Sequence, residues 1–162
     1  MKNIKLLLTT FIFLVFFAIA PGVFAQINTG GTMGVSYDNG YVIEFAPIIG
    51  YKYYKIIESG ASPFFSYAEK NNKYAFGGRI YSQVNVYKET FVHAEFEVAN
   101  VEVIKNNTTI REWQLALPIG GGYRYKISDG VYAYGMILYN VLQSGDSHTK
   151  NPIIRGGISY QP

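Results

Sequence analysis

The chain has 162 residues, with 14 basic and 11 acidic side chains, a formal net charge of +3 and no cysteine. The lack of cysteine excludes a disulfide framework, and the small basic surplus does not favour nucleic-acid binding. Aromatic residues make up 17% of the chain, a load that a soluble domain of this size would struggle to bury.

The N-terminal segment has the parts of a secretory signal peptide. Two lysines precede an apolar run over residues 6–20, and a small-residue cleavage pattern ends at Ala25. We therefore predict that residues 1–25 are a cleaved signal peptide and that residues 26–162 form one domain. An N-terminal membrane anchor is the alternative, but the apolar run is shorter than the roughly 20 residues that span a bilayer.

Beyond the signal peptide, apolar and polar side chains alternate with a period of two. In segment 74–87, for example, Ile80 and Val84 share one face, whereas Arg79 and Gln83 fall on the other. Successive side chains of a strand point to opposite faces, so one face would meet lipid and the other a polar interior. Tyrosines flank the apolar faces, as they do at the two borders of a bilayer. The pattern predicts an all-β fold, an eight-stranded antiparallel transmembrane up-and-down β-barrel without helices.

Turn-forming residues divide the chain into eight predicted strands. They cover residues 31–37, 41–53, 56–67, 74–87, 90–104, 111–125, 130–143 and 152–160. The predicted connections at one end are tight and lie near 54, at 88–89 and at 126–129. The connections at the other end are mostly longer and cover 38–40, 68–73, 105–110 and 144–151. Short periplasmic turns and longer outer loops give outer-membrane barrels this asymmetry.

On most strands that carry charges, the charged side chains lie opposite the apolar face. An arginine or lysine facing lipid at mid-bilayer costs roughly 2–4 kcal/mol, so the polar face is predicted to point into the lumen. The predicted lumen charge network contains Glu44, Lys52, Glu58, Arg79, His93, Glu95, Glu97, Glu112, Arg124 and Arg155. We expect its arginines to pair with its glutamates, because a buried charge needs a partner.

In two predicted strands, the polar and apolar residues do not separate onto opposite faces along the whole strand. In strand 130–143 both faces are apolar, so its inward face is not predicted. In strand 90–104 the polar residues switch from odd positions, which end at Glu97, to even positions, which begin at Asn100. Either a β-bulge between them or emergence of the strand from the bilayer would explain the switch. We favour emergence, because the even positions lie next to a loop.

Two histidines invite a catalytic interpretation. His93, Glu95 and Glu97 could form a metal or acid–base cluster, but their spacing of two also describes one lumen face of a strand, which we favour. His148 lies near Asp146 and two serines, yet closeness within a loop does not supply the geometry of a catalytic triad. We predict no catalytic, metal-binding or cofactor-binding residue and no cofactor.

Three strand-and-turn stretches carry a family resemblance. They are Phe45-Ala-Pro-Ile-Ile-Gly-Tyr51, Leu115-Ala-Leu-Pro-Ile-Gly-Gly-Gly-Tyr-Arg-Tyr125 and Asn151-Pro-Ile-Ile-Arg-Gly-Gly-Ile158. The stretches resemble the eight-stranded outer-membrane β-barrel proteins of Gram-negative bacteria. The resemblance implies export, periplasmic chaperones, insertion by the barrel-assembly machinery and residence among outer-membrane lipids. It also accommodates Pro47 and Pro118, which would otherwise argue against strands. One departure is that such proteins typically end on an aromatic residue, whereas Gln161 and Pro162 follow Tyr160 here.

These features favour a structural or surface-interaction role with a plugged lumen, because eight strands enclose a space that side chains can just fill. A narrow pore is the alternative, since small inward residues would leave room for water. The candidates are Gly50, Gly77, Ala116, Gly120 and Gly122. A lipid-modifying outer-membrane enzyme is less favoured, so we expect a protein that is not an enzyme. A soluble ligand-binding barrel would need the opposite arrangement of charge. The sequence does not identify an external ligand.

Overall fold

The computed structural model describes residues 26–37, 41–53, 56–69, 73–105, 108–142 and 150–161. The predicted signal peptide and His148 lie outside these ranges. The described residues form nine strands, which are β1 (Gln26–Tyr37), β2 (Tyr41–Tyr53), β3 (Ile57–Ala68), β4 (Lys73–Tyr87), β5 (Thr90–Lys105), β6 (Thr108–Ala116), β7 (Pro118–Ser128), β8 (Val131–Asn140) and β9 (Ile153–Tyr160). None of the described segments is a helix long and apolar enough to cross a membrane.

The strands β6 and β7 are two halves of one strand position. Both pair with β5, and the register is the same on either side of Leu117, where the ladder is interrupted. The interruption coincides with Pro118, which lacks the N–H that a ladder needs. The other strands pair antiparallel with their chain neighbours, and β1 also pairs with β9, which closes the ladder. The structure is a closed antiparallel barrel of eight strand positions, and the fold prediction is confirmed.

The strands are staggered around the barrel. When the registers are followed once around the wall, the path returns to β1 about ten residues from its starting point. This stagger brings residues that are distant in sequence to one level. Glu44 on β2 and Arg155 on β9, for example, are both register partners of Gly34 on β1.

The predicted boundaries match β2, and the others lie within three residues of the observed ends except at the start of β1. Strand β1 begins at Gln26 rather than at residue 31, because Asn28 and Gly30 are weak strand signals that pairing with β2 overrides. The predicted loop at 105–110 is also wrong. There, β5 runs to Lys105, and Lys105 pairs with Thr108 at the start of β6.

Two opposed prolines interrupt the ladder between β2 and β3. The register between the two strands is unchanged across the interruption and sets Pro47 opposite Pro63. Because neither residue has an N–H, the pair cannot exchange ladder hydrogen bonds. The buried Ser62 compensates in part, since its Oγ donates a 2.6 Å hydrogen bond to the carbonyl oxygen of Pro47. At the break before Pro118, the Leu117 N–H similarly donates to Asn140 Oδ1 at 2.9 Å.

The outer face is an apolar band between two rings of aromatic residues. Exposed aliphatic side chains in the band include Met33, Ile49, Ile80, Ile137 and Ile154. Exposed aromatic residues near the loop end are Tyr41, Tyr74 and Trp113, and those near the turn end are Tyr51, Tyr87, Tyr123, Tyr125 and Tyr160. In the described part of the chain, no charged side chain lies on the outer face between the two rings. Such a surface suits a bilayer.

The structure settles the two strands whose facing was ambiguous. The register of β5 with both β4 and β6 passes through residues 97–100 without a bulge. Asn100 and Glu102 lie beyond the apolar band and contact Arg111, at 2.9 Å and 2.5 Å. On β8 the inward residues are Tyr132, Tyr134, Met136, Leu138 and Asn140. Because the lumen is apolar around Leu138, both faces of this strand are apolar.

Candidate functional site in the lumen

The predicted network residues all lie on the inward faces of their strands. Two of them, Lys52 near the turn end and Glu112 near the loop end, are half-buried. The other members are at most 7% exposed, and they are Glu44, Glu58, Arg79, His93, Glu95, Glu97, Arg124 and Arg155. The buried members divide into two groups, which we name the central network and the turn-side cluster.

The central network begins with Arg79 on β4. Its Nη2 lies 2.6 Å from Glu44 Oε1. Its Nη1 lies 3.4 Å from Glu95 Oε2, and its Nε lies 3.5 Å from Glu97 Oε2. Arg79 and Glu97 are register partners on adjacent strands. One guanidinium thus contacts three carboxylates.

Arg155 on β9 contacts the same three carboxylates from the opposite wall. Its Nε lies 3.1 Å from Glu44 Oε1, and its Nη2 lies 3.2 Å from Glu97 Oε2. Its Nη1 is in close contact with Glu95 Oε2. Gly34 stands between Glu44 and Arg155, and a Cβ there would come within 3.3 Å of both side chains. The central network, formed by Glu44, Arg79, Glu95, Glu97 and Arg155, therefore spans the lumen.

His93 extends this network toward the turn end. Its Nε2 lies 2.9 Å from Glu95 Oε1, and its Nδ1 lies 3.4 Å from Gln83 Oε1. The ring stacks on Tyr81, with centroids 5.3 Å apart and an interplanar angle of 17°. No group of His, Cys, Asp and Glu among the described residues could hold a metal ion. The carboxylates of Glu95 and Glu97 are instead occupied by guanidinium groups.

The turn-side cluster is centred on Glu58. Its Oε1 accepts hydrogen bonds from Asn28 Nδ2 at 2.8 Å and from the Tyr81 hydroxyl at 2.9 Å. Arg124 Nη2 lies 3.7 Å from Glu58 Oε2, which makes an ion pair without a hydrogen bond. Gln161 Oε1 accepts from both Arg124 Nη1 and Lys52 Nζ, each at 3.3 Å. These contacts place charged and amide groups across the turn end of the lumen.

Sequence reasoning placed Gln83 on the lumen face, which is confirmed, but it missed three other uncharged members of these groups, namely Asn28, Tyr81 and Gln161. Gln161 is 8% exposed and points inward. It continues the inward alternation of Arg155 and Ser159, so the period of two could have identified it. Gln161 is thus a lumen residue, whereas the preceding Tyr160 lies on the outer face.

Apolar layers fill lumen space beside the central network. Toward the loop end, one cluster contains Ala46, Phe64, Ala99 and Val101, with Ala75 and Val103 packed against it. A second cluster contains Phe91, Met136, Leu138 and Ile153. Arg79 also lies over the Phe64 ring, 4.6 Å from its centroid.

The glycines considered as pore-lining residues do not widen a channel. A Cβ on Gly50 would meet the Tyr81 hydroxyl. A Cβ on Gly77 would lie 2.8 Å from the Phe64 ring, and one on Gly122 would lie 2.5 Å from the Phe91 ring. Gly120 faces the backbone of β8, and Ala116 is fully buried. These small residues make room for aromatic rings and for close strand approach.

Neither a protein-family model nor a curated protein sequence matches the chain. Several solved structures do match the chain. A de novo designed transmembrane β-barrel matches with a TM-score of 0.52 and 14% identity, over 85% of this chain and 95% of that one. The N-terminal β-barrel domain of OprF from Pseudomonas aeruginosa matches with a TM-score of 0.52 and 12% identity, over 85% and 96%.

Neisserial surface protein A matches with a TM-score of 0.53 and 14% identity, over 85% of this chain and 97% of that one. At such low identities the agreement concerns the fold. It covers nearly all of each matched structure, which leaves no large part of those barrels without a counterpart here. The chain therefore has the fold of the eight-stranded transmembrane β-barrels, which the OprF domain and Neisserial surface protein A share.

Proposed function

We propose that the protein is a small outer-membrane β-barrel with a plugged lumen and a structural or surface-interaction role. The outer membrane is supported by the apolar band, the two aromatic rings and the fold shared with two bacterial outer-membrane barrels. Its partners are outer-membrane lipids, together with periplasmic chaperones and the barrel-assembly machinery during insertion. Residues 1–25 serve as the signal peptide for export.

The proposal that the lumen is plugged rests on one observation. Arg79 and Arg155 share three carboxylates across the lumen. Opening a solute path would separate buried charges from their partners. Removing one partner of a buried pair costs roughly 3–5 kcal/mol, and each arginine here has several partners. The packed glycine positions remove the feature that favoured a pore.

The protein is not an enzyme in this proposal. His93 is the only histidine among the described residues, and its two ring nitrogens face Gln83 and Glu95. A general base needs a free nitrogen directed at its nucleophile. The contacts of His93 instead suit a structural member of the lumen network.

Planar-bilayer recording of the refolded barrel tests the plug. We expect no steady single-channel conductance from the wild-type protein, because the central network crosses the lumen. Gel mobility before and after boiling, measured on the same sample, serves as the control for folding. Steady conductance from protein that is shown to be folded would contradict the proposal and favour the narrow pore.

A further inference from the structure

The lumen contains a small cavity between the central network and the turn end. Its volume is about 20 Å³. The strands around the barrel contribute polar side chains to its lining, which include Asn28, Glu58, Gln83, Arg124 and Ser159. Each of these five side chains belongs to a residue that is at most 7% exposed.

Each of these five side chains carries a buried polar atom that makes no hydrogen bond to a described protein atom. The atoms are Asn28 Oδ1, Glu58 Oε2, Gln83 Nε2, Arg124 Nε and Ser159 Oγ. Buried polar atoms are nearly always hydrogen-bonded, since an unpaired one is strongly destabilising. Five such atoms around one cavity point to a shared partner within it.

The assignment of the Gln83 amide does not affect this argument. One of its two terminal atoms lies 3.4 Å from His93 Nδ1, and the other has no partner. Turning the amide over exchanges the nitrogen and the oxygen. In either orientation one polar amide atom remains for the cavity.

We propose that this cavity is a binding site for structural water. A volume of about 20 Å³ accommodates about one or two water molecules and no larger solute. The lining combines donors, on Gln83 and Arg124, with acceptors, on Asn28 and Glu58, and water satisfies both kinds. The carboxylate of Glu58 and the guanidinium of Arg124 offset each other, so the cavity does not select an ion of either sign.

Replacing Ser159 with alanine tests the proposal by the sign of its effect. If Ser159 Oγ binds water, Ser159→Ala should raise the unfolding equilibrium constant roughly 3- to 10-fold, the usual effect of losing a hydrogen bond. Urea titration of the refolded chain in lipid vesicles measures this constant. In a dry cavity the hydroxyl has no partner, so Ser159→Ala would leave the constant unchanged or lower it. That outcome would overturn the proposal.

Ser62→Ala is the matched control. Ser62 is also a buried lumen serine, and its Oγ donates to the carbonyl oxygen of Pro47 at 2.6 Å. Its substitution should be destabilising whether or not the cavity holds water. The comparison therefore separates loss of a protein hydrogen bond from loss of a water-mediated one.

A direct measurement compares the Arg124 Nε–H group with an N–H group that already has a protein partner. In ¹⁵N-labelled protein in micelles, under conditions of slow Nε–H exchange, Arg124 Nε–H should show cross-relaxation with a long-lived water. The Leu117 amide N–H should not, because it donates a hydrogen bond to Asn140 Oδ1 at 2.9 Å. Lack of a water signal at Arg124 Nε–H would overturn the proposal even if Ser159→Ala were destabilising.

Discussion

Arg79 and Arg155 do not act as two separate ion pairs. Each contacts Glu44, Glu95 and Glu97, so the carboxylates are shared and the five side chains form one unit. Loss of either arginine leaves three buried carboxylates with a single guanidinium. Arg124 is different, because Glu58 already accepts hydrogen bonds from Asn28 and Tyr81.

Arg79→Ala should lower the free energy of unfolding by roughly 3–5 kcal/mol, because it leaves carboxylates buried without their partner. Arg124→Ala should have a smaller effect, since Glu58 keeps two hydrogen bonds. Urea titration in lipid vesicles measures both. Lys126→Ala is the control, because Lys126 pairs with Asp129 at 2.8 Å on the exposed turn, where an ion pair contributes little. Equal effects from all three variants would contradict the shared network.

Two adjacent glycines on β4 occupy different surroundings. A Cβ on Gly77 would collide with the Phe64 ring and with the carbonyl oxygen of Val98, whereas one on Gly78 meets nothing within 4 Å. Gly77→Ala should therefore lower the free energy of unfolding by about 1–3 kcal/mol through overpacking. Gly78→Ala should be neutral or slightly stabilising, since alanine restricts the unfolded chain. The same urea titration checks both, and a larger loss from Gly78→Ala would show that the facing of β4 is wrong.

At the scale of a strand, the inward face is readable from sequence only where the lumen is polar. On β4 the alternation of polar and apolar residues correctly assigns Gln83, which is 7% exposed, to the lumen and Val84, which is 40% exposed, to the outer face. On β8 it fails, because Leu138 packs in an apolar layer and neighbouring Ile137 lies on the outer apolar face. The alternation of apolar and polar residues indicates the inward face only where the lumen is more polar than the lipid-facing surface. Where the lumen is also apolar, the two faces cannot be distinguished.

The partners within the lumen could not be predicted from sequence either. Glu44 and Arg155 meet because the stagger of the strands gives both the same register partner, Gly34. A stagger arises from pairing around the whole barrel. The alternation along one strand indicates which residues face inward, but it does not indicate their level in the lumen.

The depth of an outer residue on β4 should determine how well it tolerates charge. Ile80 lies in the middle of the apolar band, and Val86 lies on the same face close to the turn end. Ile80→Arg should lower the stability in lipid by roughly 2–4 kcal/mol, whereas Val86→Arg near the interface should cost about 0–1 kcal/mol. Unfolding in lipid vesicles compares the two. Similar costs for both substitutions would contradict a lipid-facing band at this height.

The whole molecule is held by two systems of contacts that reinforce each other. The closed ladder joins each strand to its neighbours, with β1 paired to β9. The central network joins walls that the ladder does not connect directly, since Arg79 on β4 and Arg155 on β9 approach from opposite sides. The ladder alone should preserve the barrel shape, and the network should raise the temperature at which the barrel opens.

These separate roles of the ladder and the central network predict how the protein migrates on a denaturing gel. The unboiled wild-type barrel should migrate differently from the boiled chain, because a closed ladder has no edge at which detergent can begin to separate the strands. Arg79→Ala should keep this mobility difference but lower the temperature at which it is lost by roughly 10–20 °C, the shift that its expected destabilisation produces. Lys126→Ala should leave that temperature unchanged.

Identical mobility of boiled and unboiled wild-type protein, or its recovery as a soluble protein, would contradict a membrane barrel. An unchanged transition temperature in Arg79→Ala would instead show that the ladder alone sets the thermal stability.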